Sequence, residues 1–110
     1  MGEKEITKKE GIYEKEGVLY VIGPKYIAKV AGALASETRT RILEYLLRGP
    51  IDLDVIADKI GQSKANISSQ IRKLENVDIV KARYMPGQRG IKKVVELNVT
   101  KIVFMVSPEE

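Results

Sequence analysis

Ile51–Leu74 reads IDLDVIADKIGQSKANISSQIRKL. Leu53, Ile56, Ala57 and Ile60 fall at i, i+3, i+4 and i+7, and Ile67, Ile71 and Leu74 repeat that spacing after Gly61-Gln62-Ser63. The spacing predicts two short helices, each with one apolar stripe. Asp52 stands where a side chain caps the first helix, Gly61 where that helix must end in a left-handed residue, and Ser63 where a hydroxyl caps the next. A tight Gly-containing turn between two such helices is the helix-turn-helix signature, here expected over 52–77. The second helix, expected over 63–77, leaves Lys64, Asn66, Ser69, Gln70 and Lys73 exposed. Such side chains hydrogen-bond to base edges or phosphates.

Upstream, Ser36 is a good N-cap and Ile42, Leu43, Leu46 and Leu47 form the stripe of a helix that Gly49-Pro50 ends. Before it, 25–35 reads as a helix with Tyr26, Ile27, Val30, Ala31 and Leu34 on one broad face. Its small residues (Ala28, Ala31, Gly32, Ala33, Ala35) permit close approach of another helix, so this face serves either a dimer seam or simple core packing. Residues 11–24 carry two apolar runs around Glu14-Lys15-Glu16-Gly17, a β-hairpin pattern in which Gly17 supplies a positive φ. Residues 1–10 are mostly charged and are expected to form a loose terminus.

Downstream, the pattern changes from helical to extended. Residues 79–99 form two strands around the basic, Gly-rich Pro86-Gly87-Gln88-Arg89-Gly90, and a hairpin directly behind a helix-turn-helix reads as a wing with its tip over 84–92. Residues 100–106 contain the continuous apolar run Ile102-Val103-Phe104-Met105-Val106. Exposed, that strand would aggregate, so it pairs either with the N-terminal hairpin or with a second chain.

The 110 residues predict one α+β, mainly α, domain: a winged helix-turn-helix with an N-terminal hairpin and a C-terminal strand. The net charge of +4 is unevenly placed. Residues 61–94 hold eight basic groups (Lys64, Arg72, Lys73, Lys81, Arg83, Arg89, Lys92, Lys93) against Glu75 and Asp78. Basic excess beside a candidate recognition helix points to nucleic acid. Asn66, Ser69 and Gln70 are the candidate base contacts, since amides pair bidentately with adenine. Ser63, Lys64, Lys73, Arg83, Arg89, Lys92 and Lys93 are the candidate backbone contacts.

The chain has neither cysteine nor histidine, which removes the usual ligands of zinc and other transition metals and the usual catalytic base. Asp52, Asp54 and Asp58 read as capping and helix-dipole residues rather than a cation site. Gly61-Gln62-Ser63-Lys64-Ala65 imitates a nucleophile elbow, yet no triad is possible without histidine. With no phosphate-binding or dinucleotide fingerprint, no enzyme, cofactor or metal is expected. No signal peptide appears, and no apolar run approaches the ~18 residues of a transmembrane helix, so a soluble cytoplasmic protein without membrane contact is expected.

The run Leu34-Ala35-Ser36-Glu37-Thr38-Arg39-Thr40-Arg41-Ile42-Leu43-Glu44-Tyr45-Leu46 resembles the opening of ArsR-like winged-helix transcriptional regulators, and Ser63–Leu74 resembles their recognition helix. The similarity covers residues 34 to about 97. It implies a homodimer that binds double-stranded DNA, with recognition helices in the major groove and wings on the flanking backbone or minor groove. Candidate dimer residues are Tyr26, Ile27, Val30, Leu34 and Phe104. Asp54-Val55-Ile56-Ala57-Asp58 occupies the place of the family's metal-sensing cysteines, and the usual C-terminal dimerisation helix is replaced by a short extended segment. The Lys-, Glu- and Ile-rich, Cys-free composition resembles that of archaeal, heat-adapted proteins. A small-molecule effector is not identified by the residues. Two other readings of the same basic face are an architectural DNA-coating protein and a winged-helix protein-interaction module.

Overall fold

A computed structural model of the chain describes residues 9–108. The loose terminus expected over 1–10 falls mostly outside the described residues.

Strands β1 (Gly11–Lys15) and β2 (Val18–Ile22) form the expected antiparallel hairpin. Its two-residue turn places Glu16 at φ 52° and Gly17 at φ 79°, both in the left-handed region that a type I′ turn requires. Glycine adopts that region freely; Glu16 is there because the twist of the flanking strands demands it. The hairpin ends at Ile22, since Pro24 already begins helix α1 (Pro24–Leu34), where its missing N–H is harmless.

Helix α2 (Glu37–Leu46) starts at Ser36, whose hydroxyl accepts a hydrogen bond from the Arg39 amide at 3.2 Å. Leu47, expected in its buried stripe, is 72% exposed because it lies one residue beyond the last helical turn. Ile51 and Asp52, read as the approach to a helix, form a short strand β3 instead. Asp52 also caps helix α3 (Leu53–Ile60), accepting from the Asp54 amide at 2.9 Å. Gly61 closes α3 at φ 78°, and Ser63 caps helix α4 (Lys64–Glu75) by accepting from the Asn66 amide at 3.1 Å. The recognition helix therefore spans 64–75 rather than 63–77: Ser63 is its cap and Val77 packs beyond its end.

Strands β4 (Val80–Gly87) and β5 (Gly90–Leu97) make the wing, in register from Val80↔Leu97 to Gly87↔Gly90. Strand β3 adds to the outer edge of β5 through Ile51↔Val95 and Asp52↔Val94, which fastens the start of the helix-turn-helix to the wing. The apolar run becomes strand β6 (Lys101–Met105), which lies parallel to β2 from Val18↔Lys101 to Ile22↔Met105. Of the two fates open to it, β6 takes the one within the chain.

One apolar cluster joins the parts. Ile42 and Leu46 of α2, Ile56 and Ala57 of α3, and Ile67, Ile71 and Leu74 of α4 meet Leu19 and Val21 of β2, Val30 of α1, and Val80 and Val95 of the wing. Each aliphatic side chain so buried contributes about 1.5–3 kcal/mol. The first sheet is thus anchored to the same core that orients α4.

Candidate nucleic-acid interface

The burial of Ile67, Ile71 and Leu74 fixes the rotation of α4. At about 100° per residue, the opposite side of the helix carries Ala65, Ser69 and Arg72. All three are exposed. One flank, bearing Gln70, turns toward α2; the other, bearing Lys64 and Ser68, turns toward the wing. Lys64, Ala65, Ser68 and Arg72 face Tyr84, Ile91, Lys92 and Lys93 across an open cleft of about 610 Å³.

The expected contact residues are distributed unequally over this surface. Ser69 lies on the outer face. Asn66 is exposed, its side-chain amide donating to Gln62 Oε1. Gln70 is half-buried, and its Oε1 accepts from Arg39 Nη1 at 2.6 Å, so this residue faces the body of the protein. The Ser63 hydroxyl is engaged as a cap.

Several cations are already partnered. Lys64 pairs with Asp54 at 3.2 Å, and Arg83 and Lys81 share Glu96. These are exposed contacts, worth about 0–1 kcal/mol, which a phosphate can displace. Lys93 differs: its side chain is only 16% exposed and its ammonium lies 3.0 Å from Glu75 Oε1. Arg72, Lys73, Arg89 and Lys92 are exposed and, among the described residues, carry no ion pair.

Arg72 counts in the basic excess but has no contact assigned from the sequence; the helical angle from Ile67, Ile71 and Leu74 is the signal that turns it outward. Tyr84 and Ile91, 69% and 77% exposed, are likewise apolar wing residues that the sequence reading left without a role.

The dimer candidates also divide. Tyr26, Ile27 and Leu34 are half-buried and Phe104 is 43% exposed, whereas Val30 is fully buried in the chain's own core and presents nothing to a partner. Gly32 lies on the open side of α1, where an added Cβ would meet nothing within 4 Å.

Among the described residues, no helix is long and apolar enough to cross a membrane, and no group of three or more acidic, Cys or His side chains is placed to hold a metal ion.

Residues 36–82, from the cap of α2 into β4, match the model of the bacterial regulatory proteins of the ArsR family. No curated protein gives a significant match. Among solved structures, a possible transcriptional regulatory protein (fragment 1–100) from Mycobacterium bovis is similar at 26% identity and TM-score 0.58, over 66% of this chain and 73% of that one. A solution structure described as the homodimeric winged helix-turn-helix DNA-binding domain of a possible ArsR-family regulator from Mycobacterium bovis is similar at 26% identity and TM-score 0.57, over 66% and 63% of the two chains. Reduced HlyU from Vibrio cholerae shares the fold at 22% identity and TM-score 0.58, over 66% and 73%. With its capped helix-turn-helix, its wing and the match over 36–82, the chain is a winged helix-turn-helix protein that carries an ArsR-family regulatory domain over those residues.

Proposed function

We propose that this DNA-binding regulator recognises a specific duplex sequence as a homodimer, with α4 in the major groove and the wing on the flanking backbone or minor groove. The observation that carries this reading is the cleft between α4 and the wing, walled by Arg72 on one side and Lys92 on the other. Ser69 and Arg72 project from the outermost side of α4, the side that enters a groove first, and an arginine there pairs bidentately with guanine. Arg89 and Lys92 neutralise phosphates beside that contact, with Lys73 doing so from α4. Tyr84 and Ile91 stand between them with apolar surface suited to packing against sugars. The solution homodimer from Mycobacterium bovis supports a two-fold arrangement, and the half-buried side chains of α1 together with Phe104 are the surface we assign to it.

Hydroxyl-radical footprinting tests the reading. A regulator of this kind protects a short two-fold site with half-sites about one helical turn apart. Long, unbroken protection that spreads with protein concentration would identify an architectural coat instead.

A further inference from the structure

On the side of α2 turned away from Gln70, Arg41, Glu44, Tyr45 and Arg48 line a cavity of about 500 Å³ with Ile51 of β3 and Lys59 of α3. None of these six residues belongs to the cleft beside the wing. Among the described residues, neither Arg41 nor Arg48 has a hydrogen-bond or ion-pair partner, and Lys59 contacts only the Tyr45 ring, 5.9 Å from its centroid. Lys64, Lys81, Arg83 and Lys93 each have a carboxylate. Three cations against Glu44 therefore leave an excess positive charge on a concave surface, where low-dielectric walls focus the field on an anion.

The geometry restricts what fits. Arg41 stands on α2 and Arg48 in the turn just beyond its last residue, Leu46, so the two guanidinium groups reach a ligand from different stations along the cavity wall. Glu44 lies between them and repels negative charge at the centre while accepting a hydrogen bond from a hydroxyl or amine. Tyr45 and Ile51 are half-buried and give the cavity an apolar wall. Its volume lies within the range of about 300–1,000 Å³ usual for small-molecule sites. Guanidinium groups suit carboxylate and phosphate equally, through the same forked hydrogen bonds.

We propose that this cavity binds a small organic dianion, its separated acidic groups held by Arg41 and Arg48, its body lying on Tyr45 and Ile51, and Lys59 closing the opposite wall. Such a ligand touches α2, β3 and α3 together. Helix α2 carries the Arg39 that holds Gln70 of α4, and β3 is fastened to the wing, so occupancy is coupled to the arrangement of the reading surface. That coupling rests on the DNA-binding reading above; the binding itself does not.

Isothermal titration of the full chain, with no DNA present, tests the site using glutarate and 3-phosphoglycerate, each with two separated acidic groups, against sodium chloride at matched ionic strength. Saturable one-to-one binding of either probe is expected, and the preferred probe separates a dicarboxylate ligand from a phosphate ester. Arg41→Ala and Arg48→Ala should each weaken it at least tenfold, and Glu44→Gln should tighten it. All three side chains are exposed, and unchanged circular dichroism checks that the variants fold. A response no different from that to sodium chloride, or one unchanged in the arginine variants, would overturn the proposal. So would an Arg41→Ala variant that loses duplex affinity as Arg89→Ala does, since the patch would then be a backbone contact.

Discussion

Arg39 Nη1 donates to Gln70 Oε1 at 2.6 Å, joining α2 to the middle of α4. The same guanidinium donates to the carbonyls of Ala33 at 2.6 Å and Gly32 at 3.2 Å, so one side chain ties the end of α1, the body of α2 and the recognition helix together. An amide reads adenine by donating with its nitrogen and accepting with its oxygen at once. With that oxygen held by Arg39, we assign Gln70 to the seating of α4 rather than to the base preference.

Gln70→Ala is therefore expected to lose about 1 kcal/mol of stability in urea denaturation and to keep the wild-type consensus sequence. Arg39→Ala removes three donors from half-buried surroundings and should lose more, about 2–3 kcal/mol. A shifted consensus for Gln70→Ala would return that residue to the bases.

Arg72→Ala should weaken binding to the preferred site by about 1–3 kcal/mol and relax the preference at one base pair, while changing affinity for random duplex little. Arg89→Ala and Lys92→Ala should weaken binding to every sequence and each reduce the salt slope by about 1. Gel shifts on specific and random duplexes across a salt series distinguish the two behaviours.

Lys93 gives the opposite expectation. Its ammonium is held by Glu75 in a largely buried pair, so Lys93→Met should leave the salt slope nearly unchanged. Glu75→Gln should lose about 1 kcal/mol of stability, because the lysine keeps its burial and loses its counter-charge. Thermal melts and salt titrations of the two variants check this division.

The hairpin turn offers a stabilising change. Glu16 is held at φ 52°, where a side chain is strained, so Glu16→Gly should raise stability by about 1 kcal/mol. For a chain of this size that is a rise in Tm of about 4 °C, readable by calorimetry.

What the sequence made legible was local chemistry. The caps at Ser36, Asp52 and Ser63 and the left-handed Gly61 depend on a residue and its next few neighbours, and each stands where the residue types place it. The wing was legible for the same reason, as two strands around a Gly-rich tip. Pairings between distant segments were not. Strand β3 is two residues long and exists only because β5 lies beside it, and β6 carries no mark of whether β2 or a second chain covers it. The sequence leaves the face of Val30 open between a dimer seam and core packing, and only the cluster holding Leu19 and Val21, from a distant strand, encloses it. At the candidate site, polarity alone selected Gln70 and passed over Arg72. The angle around α4 favours the opposite choice, since the buried Ile67, Ile71 and Leu74 turn Arg72 outward and leave Gln70 on the flank that Arg39 occupies.

The central claim is that α4 and the wing together read a specific duplex as part of a two-fold dimer. In vitro selection from a random duplex pool tests it most directly, with the wild type and Arg72→Ala run in parallel. The wild type is expected to enrich an inverted repeat with half-site centres about 10–10.5 base pairs apart. Arg72→Ala is expected to keep that spacing and to lose preference at one symmetric position in each half-site. A wild-type pool that enriches no common sequence, or an Arg72→Ala pool with the same consensus as the wild type, would contradict it.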